Sequence, residues 1–324
     1  AMMEDGQAHA HIAFNDISNV MIGLLHASPS ATIIGNSIHD IADSQFSQHC
    51  MYVGGENMTI ASNIVRNFRY SGIKCYFYTG SLVTGRDLGR VTLTGNIVDG
   101  GAGKAWSATT TYGLDDYLYK SSRLQRCIVA GTSGGVEPTW TTATGTTVVD
   151  GGVTWKCLGT QKLGESSGFE LNGPSDAVHY TNGMVVTGNM IARMNGYGIG
   201  LVYKMHGAKV QGNDVRDCGG AGILVHSLVT GSHFDVSRNT LVRVGTIDGH
   251  GIQLSATALT ECDVKDNMLD AVPAAGGSGV QSNIYAANCA GLRIIGNRMI
   301  GAAGAQALTV SACTAVVVQR NLSD

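Results

Sequence analysis

Proline is scarce in this chain, with 4 in 324 residues, and only 14% of the side chains are charged. So few charges argue against long solvated helices. The 24 acidic and 21 basic side chains are scattered. The absence of a basic stripe therefore excludes nucleic acid and an anionic membrane surface as expected partners. No apolar run reaches the roughly 18 residues that a membrane-spanning helix requires. The opening stretch AMMEDGQAHAH has neither the basic nor the apolar region of a signal peptide. The Ala ahead of the two Met residues leaves a removed leader or an upstream domain open. Neither CxxC nor a Cys/His metal spacing occurs, so no metal and no cofactor is expected. Several of the 8 cysteines instead occupy repeating apolar positions, as buried thiols would. Cys289 and Cys313, each eight residues before a repeat Asn, are expected to stack, and Cys127 and Cys157 to face each other within an insertion.

What the chain does have is glycine, 45 residues of it, together with many Asn and Thr, the composition of tightly turning β-structure. An Asn preceded by an apolar pair and followed by a short apolar strand recurs at 36, 63, 96, 189, 213, 239, 267, 297 and 321, as in ATIIGNSI, VTLTGNIV and LRIIGNRM. Apart from one gap of 93, the intervals are 27, 33, 24, 26, 28, 30 and 24 residues. Fixed strands joined by elastic turns give such a period. Each interval holds two or three short strands that cannot form a core alone but can stack on identical neighbours. The expected fold is all-β, a single-stranded parallel β-helix. The repeated Asn is expected in left-handed backbone geometry at one bend, bonded to the coils above and below.

A second repeated segment supplies the matching strand: SGIKCYFY at 71, SGFELNG at 167, YGIGLVYK at 197, AGILVHS at 221, HGIQLSA at 250 and SGVQSNI at 278. Alternation turns Ile73, Phe169, Ile199, Ile223, Ile252 and Val280 inward. It turns Lys74, Glu170, Gly200, Leu224, Gln253 and Gln281 outward, followed two residues on by Tyr76, Asn172, Val202, His226, Ser255 and Asn283. This outward face is the expected binding surface.

The gap of 93 is one coil carrying about 65 extra residues. The chain thus divides into coils over 1–105, an inserted small β module over 106–163 and further coils over 164–324. Within the module, turns are expected at Ser133-Gly134-Gly135 and Asp150-Gly151-Gly152. Trp106, Trp140 and Trp155 all fall in or beside it. Trp106 and Trp155 are candidates for stacking on a sugar, although a module this small also needs tryptophan for its own core.

The Asn-bearing coils resemble the pectate-lyase-like right-handed β-helix superfamily, and GTSG-x-x-EPTW…DG-x-x-TWKC resembles a small module of bacteriophage tail proteins. Together these resemblances imply a phage tailspike or related polysaccharide depolymerase. They imply a homotrimer on a virion tail, or otherwise extracellular, that binds and cuts a bacterial capsular polysaccharide or lipopolysaccharide.

Removal of the insertion places Lys74 and Tyr76 one coil from Glu170 and Asn172, with Tyr203, Lys204 and His226 on the next two coils. Coils stack roughly 4.8 Å apart, so such side chains converge without any local motif. An ordinary solvated flank with one Lys-Glu rung would have the same pattern. Glycoside hydrolysis needs two carboxyl groups. The outward sheet offers only Glu170, so a partner must come from a turn, such as Asp176 or Asp248, or from another subunit. A polysaccharide lyase needs a base, a cation for the uronate and an acid for the leaving oxygen. Lys74 suits the cation, Tyr76 or His226 the base or acid, and Glu170 the positioning of Lys74. Asp176 with His179 forms a second candidate pair, and Asn172, Tyr203 and Lys204 are candidate substrate contacts. A uronate epimerase would use a similar set, and a non-catalytic glycan-binding or structural tail segment would need only the surface. The chain closes on RNLSD with no amphipathic cap, so a covering partner or further domain is expected there.

Overall fold

The computed structural model describes residues 2–323 except 6–8, 19, 21, 28–29, 41–48, 77–88, 102–105, 161–163, 175–179, 227–228, 247–248, 257, 273–281 and 302–305. The chain winds through three parallel sheets in turn, and each strand pairs with its counterpart one coil away. One full coil runs from Ser71–Tyr76 in the first sheet to Val91–Thr94 in the second and Ile97–Asp99 in the third. Ten such coils stack among the described residues. The interior is one continuous column of apolar side chains, in which Ile73, Phe169, Ile199, Ile223 and Ile252 lie fully buried in register.

The bend between the second and third sheets holds the asparagines. Asn36, Asn63, Asn96, Asn189, Asn213, Asn239, Asn267 and Asn297 are all buried. Each donates its amide Nδ2 to Oδ1 of the Asn on the next coil at 2.9–3.0 Å. Asn15 extends the ladder by one rung that the repeat pattern did not include. The left-handed backbone belongs not to these asparagines but to the residue before each of them, such as Gly35, Gly95, Gly188 and Gly212 with φ of 62–67°. The amide is thereby free to point along the column, and Ser62, Arg238, Asp266 and Arg320 also adopt left-handed φ, of 53–57°, without being glycine.

A second row of special residues opens the first-sheet strands. An added Cβ on Gly168 would stand 2.4 Å from Ile191 Cγ2, and one on Gly198 would stand 2.3 Å from Val215 Cγ1 and 2.5 Å from the Gly222 carbonyl oxygen. These glycines let the first sheet close onto the third within one coil. Gly198→Ala is expected to lower stability by about 1–3 kcal/mol through overpacking. Gly135→Ala, where a Cβ meets nothing within 4 Å, serves as the neutral control. Urea midpoints measure both, and equal midpoints would remove this account of the repeated glycine.

The strand near residue 278 departs from the expected register. Ile284, not Val280, stands opposite Ile252, and Tyr285 stands opposite Gln253. Val280 and Gln281 lie outside the described residues, and Asn283, expected outside, is buried. The alternation Val280, Ser282, Ile284 satisfies either register, so period alone does not choose between them.

The insertion leaves the column after Ile97–Asp99 and rejoins it at Ser167–Asn172, which pairs directly with Ser71–Tyr76. Its four-stranded antiparallel sheet contains Tyr117–Lys120, Arg123–Val129, Val153–Gly159 and Thr147–Asp150. The last two join through the Asp150-Gly151-Gly152 turn. Cys127 and Cys157 are free thiols that do not face each other: Cys127 pairs with Trp155 and Cys157 with Gln125. Cys289 and Cys313 do meet, with the backbone N–H of Cys289 3.4 Å from the Cys313 sulfur. The module docks on the column through Tyr117, whose hydroxyl donates to Asp40 at 3.0 Å, a carboxylate that also accepts from Asn67.

Candidate functional site

The outward face of the first sheet concentrates chemistry on three neighbouring coils. Tyr52, Lys74 and Glu170 occupy one row, in register across His49–Gly54, Ser71–Tyr76 and Ser167–Asn172. Lys74 Nζ lies 2.8 Å from Glu170 Oε1, with the two side chains 18% and 19% exposed. The Ser71 hydroxyl donates to Glu170 Oε2 at 2.7 Å, and Asn172 Nδ2 approaches Oε1 at 3.4 Å. Burial works against ionisation of Glu170, but the hydrogen bonds from Lys74 and Ser71 outweigh it and hold the carboxyl below its ordinary range. Glu170 is therefore an anion that fixes Lys74, not a proton donor.

Aromatic rings frame this pair. Tyr52 lies 5.6 Å from Tyr76 and 5.4 Å from the imidazole of His49, which is 6.4 Å from Tyr70. Lys74 Nζ sits 5.8 Å from the centre of the Tyr52 ring, within cation–π range. His49 is 7% exposed, and its buried Nδ1 has no hydrogen-bond partner among the described residues. Burial, aided by the Lys74 charge and opposed by Glu170, depresses its pKa to about 4. It stands as a neutral imidazole at physiological pH. Burial, with the neighbouring Tyr76 and Glu170, pushes the Tyr52 phenol up, so it keeps its proton.

Of the sequence-derived candidates, the structure brings together Lys74, Tyr76, Glu170 and Asn172. His226 does not join them. Its backbone bonds to Leu201, and Val202 stands opposite Asn172, so His226 lies two coils from Asn172, roughly 10 Å by strand spacing, and three from Tyr76. Asp176, His179 and Asp248 lie outside the described residues. Tyr203, with φ of 69°, turns the corner out of the first sheet and sets Lys204 beyond it. There Lys204 Nζ is 5.3 Å from the Tyr180 ring, which stacks on His206 at 3.9 Å.

Trp155 is fully buried, edge-on to Tyr112 at 4.9 Å and to Trp140 at 5.9 Å. That corrects its reading as a sugar platform, because no face of the ring is open. Trp106 is partly buried against the same core and donates to Asp150 Oδ2 at 2.8 Å.

His49 and Tyr52 leave no trace in the glycine pattern, because in HCMYVG the place of the glycine that opens each first-sheet strand is taken by Cys50, and Tyr70 lies just ahead of the patterned strand that begins at Ser71. A second concavity was also missed, about 460 Å³ on the second sheet, lined by His233, Phe234, Asp235, Glu261, Asp263, Gly291 and Arg293. Asp235 and Asp263 stand in register on adjacent coils. Asp263 is held by Arg293 and Lys265 at 2.5 Å each, and Asp235 accepts from Gln211 at 2.7 Å.

The family model described as right handed beta helix region matches residues 162–289. A search of curated proteins matches nothing to this chain. Among solved structures, the Dettilon tailspike protein is similar at 14% identity with a TM-score of 0.40, covering 97% of this chain and 54% of its own. The enzymatically active domain of tailspike protein 2 of bacteriophage CBA120 is similar at 8% identity with a TM-score of 0.27, covering 97% and 37%. This chain spans about half or less of the length of those two structures. The chain is a right-handed parallel β-helix: the family match begins just before the Glu170 strand, and three unbroken sheets carry the same coil through the rest of the described residues.

Proposed function

We propose that this protein binds an acidic extracellular bacterial polysaccharide across the first-sheet face and cleaves it by β-elimination, as a tailspike-like depolymerase. The observation that carries the reading is the Lys74–Glu170 pair framed by Tyr52, Tyr76 and the neutral imidazole of His49. Lys74 would neutralise the uronate carboxylate and so acidify the adjacent C–H. His49 would accept that proton, and the phenol of Tyr52 or Tyr76 would protonate the leaving glycosidic oxygen. Glu170 would position Lys74. The module's resemblance to phage tail proteins supports a place on a virion tail, assembled as a homotrimer.

The test is incubation with a panel of capsular polysaccharides and lipopolysaccharides, following new reducing ends and the ultraviolet absorbance of unsaturated uronate together. Both signals are expected, and Lys74→Met and His49→Gln should each reduce them about tenfold or more, the scale of a lost charge-assisted contact or proton acceptor. Turnover unaffected by either substitution would refute the site. A second reading, hydrolysis, is favoured by the in-register aspartates Asp235 and Asp263 on adjacent coils, which supply the two neighbouring carboxyl groups that glycoside cleavage needs. It would show reducing ends without absorbance and loss of activity in Asp235→Asn. Exchange of the uronate proton without scission would indicate an epimerase, and retention without any reaction a binding segment.

A further inference from the structure

The grouping around Lys74 occurs a second time. In the first instance the Lys74 ammonium lies 5.8 Å from the Tyr52 ring, and His49 lies 5.4 Å from that ring. In the second, the Lys204 ammonium lies 5.3 Å from the Tyr180 ring, and His206 stacks on that ring at 3.9 Å. The two are close for a local reason. A Cβ on Gly173 would stand 2.1 Å from the Lys204 carbonyl oxygen, so glycine there lets the coil carrying Lys204 lie directly against the coil carrying Glu170. Lys204 is four residues past Gly200, the in-register neighbour of Glu170. With the corner at Tyr203, the two ammonium groups are separated by roughly 10–15 Å. Asn172 lies between them, with its side-chain oxygen buried and unpartnered among the described residues. Lys74 is tied to Glu170, whereas Lys204 has no carboxylate partner among the described residues.

A lysine above a tyrosine ring, backed by an imidazole, offers a sugar both an apolar face to lie on and a cation for its acid group. We infer that Lys204, Tyr180 and His206 form a second subsite for an acidic sugar, so that the ligand is a polyanionic glycan whose charged residues contact Lys74 and Lys204 at once. The inference rests on the glycan-binding reading of the first-sheet face. Two linked contacts make the second intramolecular, so long chains gain affinity that short ones do not.

The probes are polyuronates, as long polymer and as short fragments, and their carboxyl-reduced neutral counterparts, with binding followed by affinity electrophoresis and titration. Wild type should bind the long acidic polymer most tightly. Lys204→Met should weaken that binding about tenfold, the loss of one charge-assisted contact, while short fragments bind as to wild type. Lys204→Arg should restore the long-chain advantage, and the neutral polymers should not distinguish the variants. Unchanged melting of Lys204→Met, whose side chain is partly buried, would show that the loss is not one of folding. If wild type binds long acidic chains and Lys74→Met abolishes this while Lys204→Met has no effect, the second subsite is overturned and the first-sheet site stands. If wild type binds no acidic polymer, the glycan-binding reading and this inference fall together.

Discussion

Asn213→Ala is expected to cost about 4 kcal/mol, the largest effect of any single substitution considered in this chain, because it strands buried groups on both sides of one rung. Asn213 Oδ1 accepts from the backbone N–H of Asn189 at 3.1 Å and from its amide at 2.9 Å, while Nδ2 donates to Val186 O and Asn239 Oδ1 at 3.0 Å each. Alanine leaves two donors of Asn189 and the carbonyl of Val186 without partners in a dry column, and each such group costs about 1–3 kcal/mol before relaxation. Asn213→Asp is the informative comparison. Its carboxylate still accepts from Asn189 but donates nothing to Val186, and it introduces a buried charge, so it should be no milder than alanine. Urea denaturation followed by circular dichroism reads the difference. A loss below about 1 kcal/mol for Asn213→Ala would mean that the ladder is a by-product of stacking and not one of its causes.

The second large effect is acid sensitivity from His49. In the unfolded chain its imidazole titrates near 6.5, and in the folded column burial and the Lys74 charge lower that to about 4. Between those values the unfolded chain holds the proton and the folded chain does not, so the stabilisation is complete above pH 6.5 and is lost as pH falls toward 4. The loss amounts to about 2 kcal/mol by pH 5 and about 3 by pH 4. His39 acts in the opposite sense: although burial opposes it, the carboxylates of Asp40 and Asp16 raise its pKa, so its contribution fades as pH rises. Glu170, held below its ordinary range, loses its contribution only at still lower pH. The decisive quantity is therefore the difference in slope between wild type and His49→Gln. Stability against pH between 6.5 and 5 should flatten in the variant, and parallel curves would show that His49 is not a buried neutral base.

The repeating parts of this molecule were legible because stacking forces identical solutions on every coil. Asn at one bend and Gly at the head of a strand each solve a local packing or hydrogen-bond problem that recurs, so both leave a periodic trace in the sequence. The Lys74–Glu170 rung could be read across the insertion for the same reason, since the two strands are equivalent by repeat. What period could not carry was exception. His49 and Tyr52 lie on a strand whose glycine is replaced by Cys50 and so fell outside the pattern, although they frame Lys74. His226 obeys the alternation and stands two coils further along the stack than Asn172. The Asp235–Asp263 pair was hidden differently: the expected binding surface was the first sheet, and these aspartates lie on the second.

The route of the chain between Asp99 and Ser167 also bears on the order of events in folding. Ser71 and Glu170, bonded through their side chains, are 99 residues apart, and the Asn96–Asn189 rung spans 93. Closing so long a loop carries an entropic cost that grows with the logarithm of its flexible length. The inserted module, with its own core of Tyr112, Leu118, Cys127, Trp140, Val153 and Trp155, withdraws most of those residues from the flexible count once it has formed. Collapsing from about 65 free residues to about 15 lowers the closure cost by roughly 1 kcal/mol, a several-fold gain in the odds of meeting. The Tyr117–Asp40 hydrogen bond then pins the collapsed module against the earlier coils. During synthesis the strand that carries Lys74 emerges long before Glu170, so the ion pair becomes possible only when the far side of the detour arrives, and the module is the splint that shortens the wait.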